Sequence, residues 1–274
     1  MQCILNGRLL PQEEAAVGLT DLGLLRGYGI FDYFLFERFQ ARFVDDYLRR
    51  FYLSAGLLHL RVPIPMPEMY EQVQRLIDAN GLPEGGIRLL MTGGYAADGY
   101  TPTTPNWAIM QGPFMRTPPE YYEQGVRLML HAHQRDLPEV KSTNYFTGIR
   151  LQPMMRRMGA QYLLFHDTEG HISESDRSNF FLLTAEGELA TADRGVLKGI
   201  TRQRILEIAR ELGIPTRERP IHVEELEFAQ EAFLTGTSKG VLPVVQVNQE
   251  VIGTGRPGPV AQRLHAAFVE LTRR

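Results

Sequence analysis

Lys141 stands in the stretch VKSTNY, directly after a run that reads as a strand and just before small polar residues. A lysine at a strand end is ordinarily a solvated charge. Held in a desolvated seat, the same amine is a nucleophile that condenses with an aldehyde and afterwards carries a proton. Glu174 lies in ISESDRSNFFLL, immediately ahead of an apolar strand, where a carboxylate points inward or stands at the strand mouth. LKGITRQRILEIARELG leads a Gly-Ile-Thr turn, with Ile200 and Thr201, straight into an amphipathic helix. The unpaired N–H groups of that first turn, the positive end of the helix dipole and a Thr201 hydroxyl at the N-cap make an anion seat. LTGTSKG, containing Thr237, gathers hydroxyl and glycine residues into a second backbone cradle suited to phosphate. Taken singly, each of these has a plainer reading as a cap or a turn.

Their combination points further. A lysine amine, an inward carboxylate and two phosphate seats are what pyridoxal phosphate requires: a Schiff-base partner, a counter-charge for its pyridine nitrogen and an anion anchor. Competing chemistries find less support. There is no phosphate loop, no dinucleotide glycine fingerprint and no helical metal-binding histidine pair. His131 and His133 share a strand face in LHAHQ without a third ligand beside them, so no metal site is assigned. A Gly-x-Ser-x-Gly nucleophile turn is also missing.

The elements that must position these groups follow from periodicity. QCILNGRLLP reads as a hairpin over Gln2 to Pro11 turning at Asn6-Gly7, and GYGIFDYFLFERFQARF as further strand with a turn near Arg38. DDYLRRFYLSAGLLHL changes to helical spacing, with Tyr47, Leu48, Phe51, Leu57 and Leu58 near one face and Asp45 or Asp46 as N-cap. MPEMYEQVQRLIDANGL is a helix ending at Asn80-Gly81, and GIRLLMTGG and NWAIMQGPF are strands. The glycines and prolines of GPFMRTPPEYYEQG mark a boundary. Beyond it, VRLMLHAH, QYLLFHD, HISES, NFFLLT, ELATA, EAFLTG and VVQVN read as short strands. The helices there are YFTGIRLQPMMRRMGA, ITRQRILEIARELG, a short one at VEELEFAQ and a last one from Pro259 towards Thr272. Many short strands with a few covering helices predict a barrel-like second domain in an α+β protein.

Composition bounds the function. The chain has 274 residues, 43% hydrophobic and 22% charged, which fits a globular protein of about two domains. A net charge of -3 provides no basic field for nucleic acid or an anionic membrane, so small-molecule chemistry is favoured. Cys3 is the one cysteine, which excludes internal disulfides and cysteine-based metal clusters. No apolar run has bilayer-spanning length, and MQCILNGRLLPQEE turns polar too early for a signal peptide, so a cytoplasmic location is expected.

The order of RGYGIFDYF, DDYLRRFYLSAGLL, VKSTNY, SESDRSNFF, LATADRGVLKGITR, LTGTSKGVLPV and GPVAQRL resembles the class IV, or fold-type IV, pyridoxal-phosphate aminotransferases over nearly the whole chain. That family includes branched-chain aminotransferases, D-amino acid transaminases and aminodeoxychorismate lyases. The resemblance implies a small α/β domain over residues 1–114, a linker over 115–121, a larger pseudo-barrel domain over 122–274, and a homodimer whose loops line neighbouring sites. It implies that Lys141 binds the cofactor and moves the substrate proton, and that Glu174 faces the pyridine nitrogen. Arg50, Ile200, Thr201 and Thr237 match phosphate anchors, Leu197 the apolar residue against the ring, and Tyr145 a tyrosine that bonds the phenolic oxygen.

Three departures from the family pattern matter. The lysine-to-tyrosine spacing is one residue short, the segment from Thr191 to Leu197 is likewise one short, and Asp176 and Arg177 replace small residues after the glutamate. A guanidinium beside the ring needs an anion to meet it. An amino-acid carboxylate is such an anion, so Arg177 is the first candidate to grip it and Arg26, in GLLRGYGIF, the second. Bacillus-type D-amino acid transaminases use an arginine and a histidine in the loop matching Tyr95 to Thr104, and YAADGYTPTT has neither. The expectation is therefore a transaminase acting on D-alanine or D-glutamate through a relocated carboxylate trap, with 2-oxoglutarate or pyruvate as acceptor. Branched-chain activity, the lyase reaction and a catalytically idle ligand-binding member of the fold are the alternatives.

Overall fold

Residues 1–273 are described by the structure, a computed structural model. The chain forms two units, one of Met1–Met115 with Val140–Asn144, the other of Arg116–Glu139 with Tyr145 onward. The segment carrying Lys141, assigned by sequence to the larger domain, thus groups with the first unit.

The first unit is an antiparallel sheet built from β1 (Gln2–Leu5), β2 (Arg8–Pro11), β3 (Gly29–Glu37), β4 (Gln40–Ala41), β5 (Glu84–Thr92) and β6 (Trp107–Gly112), in the order β2-β1-β6-β5-β3-β4. Its helices are α1 (Leu22–Arg26), α2 (Val44–Leu57) and α3 (Met66–Asn80). The first hairpin turns at Asn6-Gly7 as expected, both residues having positive φ (50° and 81°), which matches the twist of the flanking strands. Arg38 and Phe39, also at positive φ, turn β3 into β4. Phe34 of β3 packs against Tyr47 of α2 with ring centroids 5.4 Å apart, and Leu48, Phe51 and Leu58 are buried beside them. Leu57 departs from its expected place: at the helix end it is 46% exposed. The N-cap also differs, because Phe43, in a left-handed conformation, occupies it. Asp45 and Asp46 fall inside the first turn, where they complement the helix dipole instead of capping it.

Asp32 and Arg50 form a buried pair in this unit, Nε and Nη2 donating at 2.9 and 2.7 Å to a carboxylate with no solvent exposure. Removing one partner strands the other charge. Arg50→Met is expected to destabilise the cofactor-free protein by about 3 kcal/mol in urea unfolding, and adding Asp32→Leu is expected to recover most of that loss.

The second unit contains α4 (Pro119–Gln124), β7 (Val126–Ala132), α5 (Phe146–Arg157), β8 (Tyr162–His166), β9 (His171–Ser175), β10 (Ser178–Leu183), β11 (Leu189–Thr191), α6 (Ile200–Glu211), β12 (Thr216–Glu218), β13 (Ile221–His222), β14 (Glu231–Gly236), β15 (Gly240–Val247), β16 (Glu250–Val251) and α7 (Pro259–Arg273). Hydrogen bonding runs from β10 through β14, β15, β7, β8 and β9, and β9 pairs back to β10. That closure makes the barrel-like sheet expected from the run of short strands. Val126, Leu128, Leu164, Phe180, Leu182, Leu234, Leu242 and Val244 fill its core. Two details differ from the sequence reading. The segment given as a linker is helical from Pro119, whose fixed φ suits a first helical turn. VEELEFAQ forms a 3-10 helix over Val223–Phe228, closed by a capping box between His222 and Glu225. No described helix is long and apolar enough to cross a membrane.

Candidate active site

In the first unit Lys141 sits on a strip that extends the sheet at β3. Phe31 donates its N–H to the Lys141 carbonyl at 3.0 Å, Thr143 donates to the Gly29 carbonyl at 2.9 Å, and Ile30 bridges Ser142. The Lys141 N–H donates to Oγ of the fully buried Ser54 on α2 at 3.2 Å, so two elements fix this backbone. Its side chain is half-buried, with Nζ 4.7 Å from the centroid of the Phe31 ring. The amine is thus partly covered and faces an aromatic ring. Gly29 permits the approach: a Cβ there would meet the Met91 carbonyl oxygen at 2.9 Å and Thr143 Oγ1 at 3.3 Å.

Arg50 is placed by its pairing with Asp32. Arg26 ends α1 on the surface, and its Nε donates at 3.1 Å to the Gly99 carbonyl. A guanidinium from α1 is thereby fastened to the Tyr95–Thr104 loop, which carries no arginine or histidine of its own.

In the second unit Arg135, Asn179 and Leu197 meet Glu174. Its carboxylate is 5% exposed and accepts from Arg135 Nη1 at 2.7 Å, Asn179 Nδ2 at 3.3 Å and the Leu197 N–H at 3.1 Å. Asn179 pairs with Glu174 across the β9–β10 hairpin and also donates to the Leu197 carbonyl at 2.7 Å, locking the apolar Leu197 in place. Burial pushes the Tyr145 hydroxyl above its usual range. Arg135 and Arg177 pull against that, while Glu174 and Asp176 add to it, so this phenol lies within the field of all four charges.

Ile200 and Thr201 open α6, and here the expected cap shifts by two. Gly199 is the N-cap, in extended conformation, with Thr201 buried inside the first turn. Glycine is needed there because a Cβ would fall 2.1 Å from Asn179 Oδ1. Thr237 lies in the turn joining β14 to β15. Near it the hydroxyl of Thr235, only 1% exposed, has no hydrogen-bond partner. Arg177 is exposed at the β9–β10 turn, its Nε donating to Asp176 Oδ2 at 3.0 Å and its guanidinium 5.8 Å from the centroid of the Tyr162 ring.

Sequence reasoning missed Arg135, Asn179 and Lys239. Arg135 sits in an irregular stretch with no local pattern to mark it. Asn179 was within reach, since a two-residue turn at Asp176 and Arg177, after Ser175, places it directly opposite Glu174. Each unit offers groups of the kind pyridoxal phosphate binds: the first a half-buried amine at Lys141, the second a buried carboxylate, open amides at the start of α6 and, among the described residues, an unpartnered Thr235 hydroxyl. Among the described residues, the one close set of metal-ligating side chains is Asp167, Glu169 and His171 on the β8–β9 hairpin, and none of the groups above belongs to it.

The closed barrel-like sheet is that of the fold-type IV aminotransferases. The Amino-transferase class IV family profile matches residues 29–247, and the chain belongs to that family. It is 28% identical over 278 residues to a putative branched-chain-amino-acid aminotransferase of Methanocaldococcus jannaschii, covering 99% of this chain and 96% of the relative. It is 27% identical over 278 residues to a D-alanine aminotransferase of Bacillus licheniformis, covering 98% and 96%. The branched-chain amino acid aminotransferase of Escherichia coli superposes with a TM-score of 0.92 at 28% identity, over 99% of this chain and 94% of that one. A further branched-chain enzyme, solved with pyridoxamine 5′-phosphate, reaches the same TM-score of 0.92 at 25% identity, over 100% of this chain and 94% of that one. The protein is a pyridoxal-phosphate-dependent aminotransferase. Relatives of both substrate classes stand at nearly equal similarity, so substrate choice must be argued from side chains.

Proposed function

We propose that this aminotransferase acts on D-amino acids, D-alanine and D-glutamate foremost, with 2-oxoglutarate or pyruvate as acceptor, and that Arg177 and Arg26 form its carboxylate trap. The observation that carries the reading is Arg177. Its Nη groups make no hydrogen bond among the described residues while its Nε is steadied by Asp176. A guanidinium with an open fork is the strongest carboxylate receptor a protein has. Arg26, tied by Nε to the cation-free Tyr95–Thr104 loop, supports the same relocation of charge. Branched-chain activity is the second reading, favoured by the structural likeness. Arg177 stands against it, since it puts a charge where branched-chain enzymes keep a small backbone turn.

When bound, pyridoxal phosphate supplies an aldehyde and an electron-accepting ring that eases loss of the Cα proton. Lys141 would hold the cofactor's aldehyde carbon and, once a substrate amine displaced it, would be the base placed to move the Cα proton. Glu174, oriented by its donors, would keep a proton on the ring nitrogen. Arg50, Thr237 and the first amides of α6, from Ile200 and Thr201, would grip the phosphate; Leu197 would pack on the ring, and the Tyr145 hydroxyl would bond the phenolic oxygen. A homodimer is part of the reading, with Arg26 reaching the neighbouring copy's substrate.

The test is a half-reaction screen: D- and L-amino acids are mixed separately with the cofactor-loaded protein, and conversion to the pyridoxamine spectrum is followed. Rapid conversion by D-alanine and D-glutamate is expected. Conversion by L-leucine and L-valine with silence from the D-series would replace this reading with the branched-chain one. Arg177→Leu is expected to raise the KM for the reactive amino acids roughly 10- to 100-fold, the value of one or two charge-assisted hydrogen bonds, with cofactor affinity unchanged.

A further inference from the structure

Lys239 has no part in the chemistry described so far. It lies in the turn between β14 and β15 and is 8% exposed, rare for a lysine. Its Nζ stands 4.9 Å from the centroid of the Tyr162 ring and makes no hydrogen bond among the described residues. Burying an ammonium without an acceptor is costly, and an aromatic face offsets only part of that. The acid whose charge reaches it makes no hydrogen bond to it: Asp176 receives Arg177 Nε on Oδ2, while Oδ1 receives Ser175 Oγ at 3.0 Å and the Leu163 N–H at 3.5 Å.

A Cβ placed on Gly236 would lie 3.4 Å from Ser178 Oγ, 3.6 Å from the Arg177 carbonyl oxygen and 4.0 Å from Lys239 Nζ. Ser178 is 7% exposed, and its Oγ is buried with no partner among the described residues. An ammonium and an unpartnered hydroxyl therefore lie about the side of Gly236 that carries no side chain, and the amine and the Arg177 guanidinium both lie near the Tyr162 ring. Two cations and a spare hydroxyl donor, against one carboxylate and one backbone carbonyl, are complementary to a single carboxylate ligand.

We propose that Lys239 is the second cation of the Arg177 seat: its ammonium and the guanidinium, over the ring of Tyr162, receive one carboxylate of the substrate, with Ser178 Oγ donating to the same group. This rests on the aminotransferase reading, deepens it, and is independent of handedness. The carboxylate is either the one every amino acid carries or the distal one of a dicarboxylic substrate, and these two sources separate experimentally.

Charge state supplies a signature that packing alone would not. Burial, with Arg177 adding to it and Asp176 opposing, pulls the Lys239 amine down to about 8. The other titratable groups facing it lie outside that region: Tyr162 is pushed up to about 12, Tyr122 is raised and His265 is lowered, while a guanidinium does not titrate in a protein. A bound carboxylate favours the protonated amine. Affinity is therefore full below the free amine's value and lost as pH rises through it.

The experiment uses the cofactor-loaded protein and two unreactive acids, glutarate and butyrate, with binding measured by calorimetry. KM values are measured in parallel for glutamate and alanine of whichever handedness reacts. Lys239→Met is expected to weaken glutarate at least tenfold while leaving the visible cofactor band and melting temperature unchanged; Lys239→Arg should restore most of the affinity. Between roughly pH 7 and 9, wild-type binding should weaken, and Lys239→Met should lose that dependence. Gly236→Ala fills the open volume at ordinary contact distances and should also weaken glutarate. Weakening of butyrate and alanine as well assigns the seat to the α-carboxylate; weakening of glutarate and glutamate alone assigns it to the distal one. Glutarate affinity within twofold of wild type, with unchanged pH dependence, in Lys239→Met overturns the proposal; if that variant does not fold, the same result in Gly236→Ala does so. Failure of the aminotransferase reading would show separately, as absence of the cofactor band and of any half-reaction.

Discussion

Lys141→Ala is expected to lower kcat by about 10,000-fold and to abolish borohydride-stable attachment of the cofactor, while the protein still folds and binds pyridoxal phosphate non-covalently. The magnitude is the upper end of what a positioned proton carrier contributes, because on the proposed reading one amine both carries the cofactor and moves the substrate proton. Retention of the fold follows from how the residue is held. Its backbone makes the hydrogen bonds to Phe31 and Ser54, which alanine keeps, and the side chain removed is a half-buried one beside the Phe31 ring. Reduction with borohydride followed by peptide mass spectrometry checks attachment, and steady-state turnover checks the rate. A variant that kept a tenth of the activity, or an adduct recovered on another lysine, would remove Lys141 from its role. Added methylamine should restore a small part of the rate, because a free amine can then carry the proton that the chain no longer moves.

The sequence made some of this visible and hid the rest for physical reasons. The Asn6-Gly7 hairpin, the Asn80-Gly81 helix end and the alternating strands were legible because each depends on local backbone preference. Lys141, Glu174 and Arg177 were singled out as candidates by motif order, which carries information that no single residue does. The α2 cap was not, since two aspartates in DDYL satisfy the dipole as well from inside the turn as from the cap. The exposure of Leu57 was hidden too, because helical periodicity cannot say where the helix stops. Arg135 and Lys239 illustrate a third limit. Arg135 meets Glu174 from 39 residues away, and Lys239 meets Tyr162 across a barrel whose closure is a tertiary fact. An arginine in a loop and a lysine in a turn look solvated in one dimension, and only the fold shows that the first meets a buried carboxylate and the second is itself buried.

Glu174→Gln is expected to reduce kcat by roughly 1,000-fold, the upper range for removing one preorganised electrostatic group from a buried site. The substitution keeps shape but removes charge, and this surrounding tests charge directly. Donors converge on the carboxylate from three residues: Arg135 at 2.7 Å, the Leu197 N–H at 3.1 Å and Asn179 at 3.3 Å. A glutamine can accept from only part of that set, and its own amide N–H must then face a donor, so Arg135 loses its anion in a buried place. The proposed partner, the protonated ring nitrogen, loses its counter-charge at the same time, and the cofactor is left with less capacity to accept electrons. The two consequences separate by measurement. Loss of the Arg135 pairing should appear as lower stability in cofactor-free protein, whereas loss of the counter-charge should appear as a slower half-reaction in loaded protein at saturating substrate, with little change in KM. Arg135→Met removes the first contact and leaves the carboxylate, so it should lower stability while costing far less in rate. If Arg135→Met slowed turnover as much as Glu174→Gln, the acid would be acting through the arginine instead of on the cofactor ring, and the assignment of Glu174 would fall.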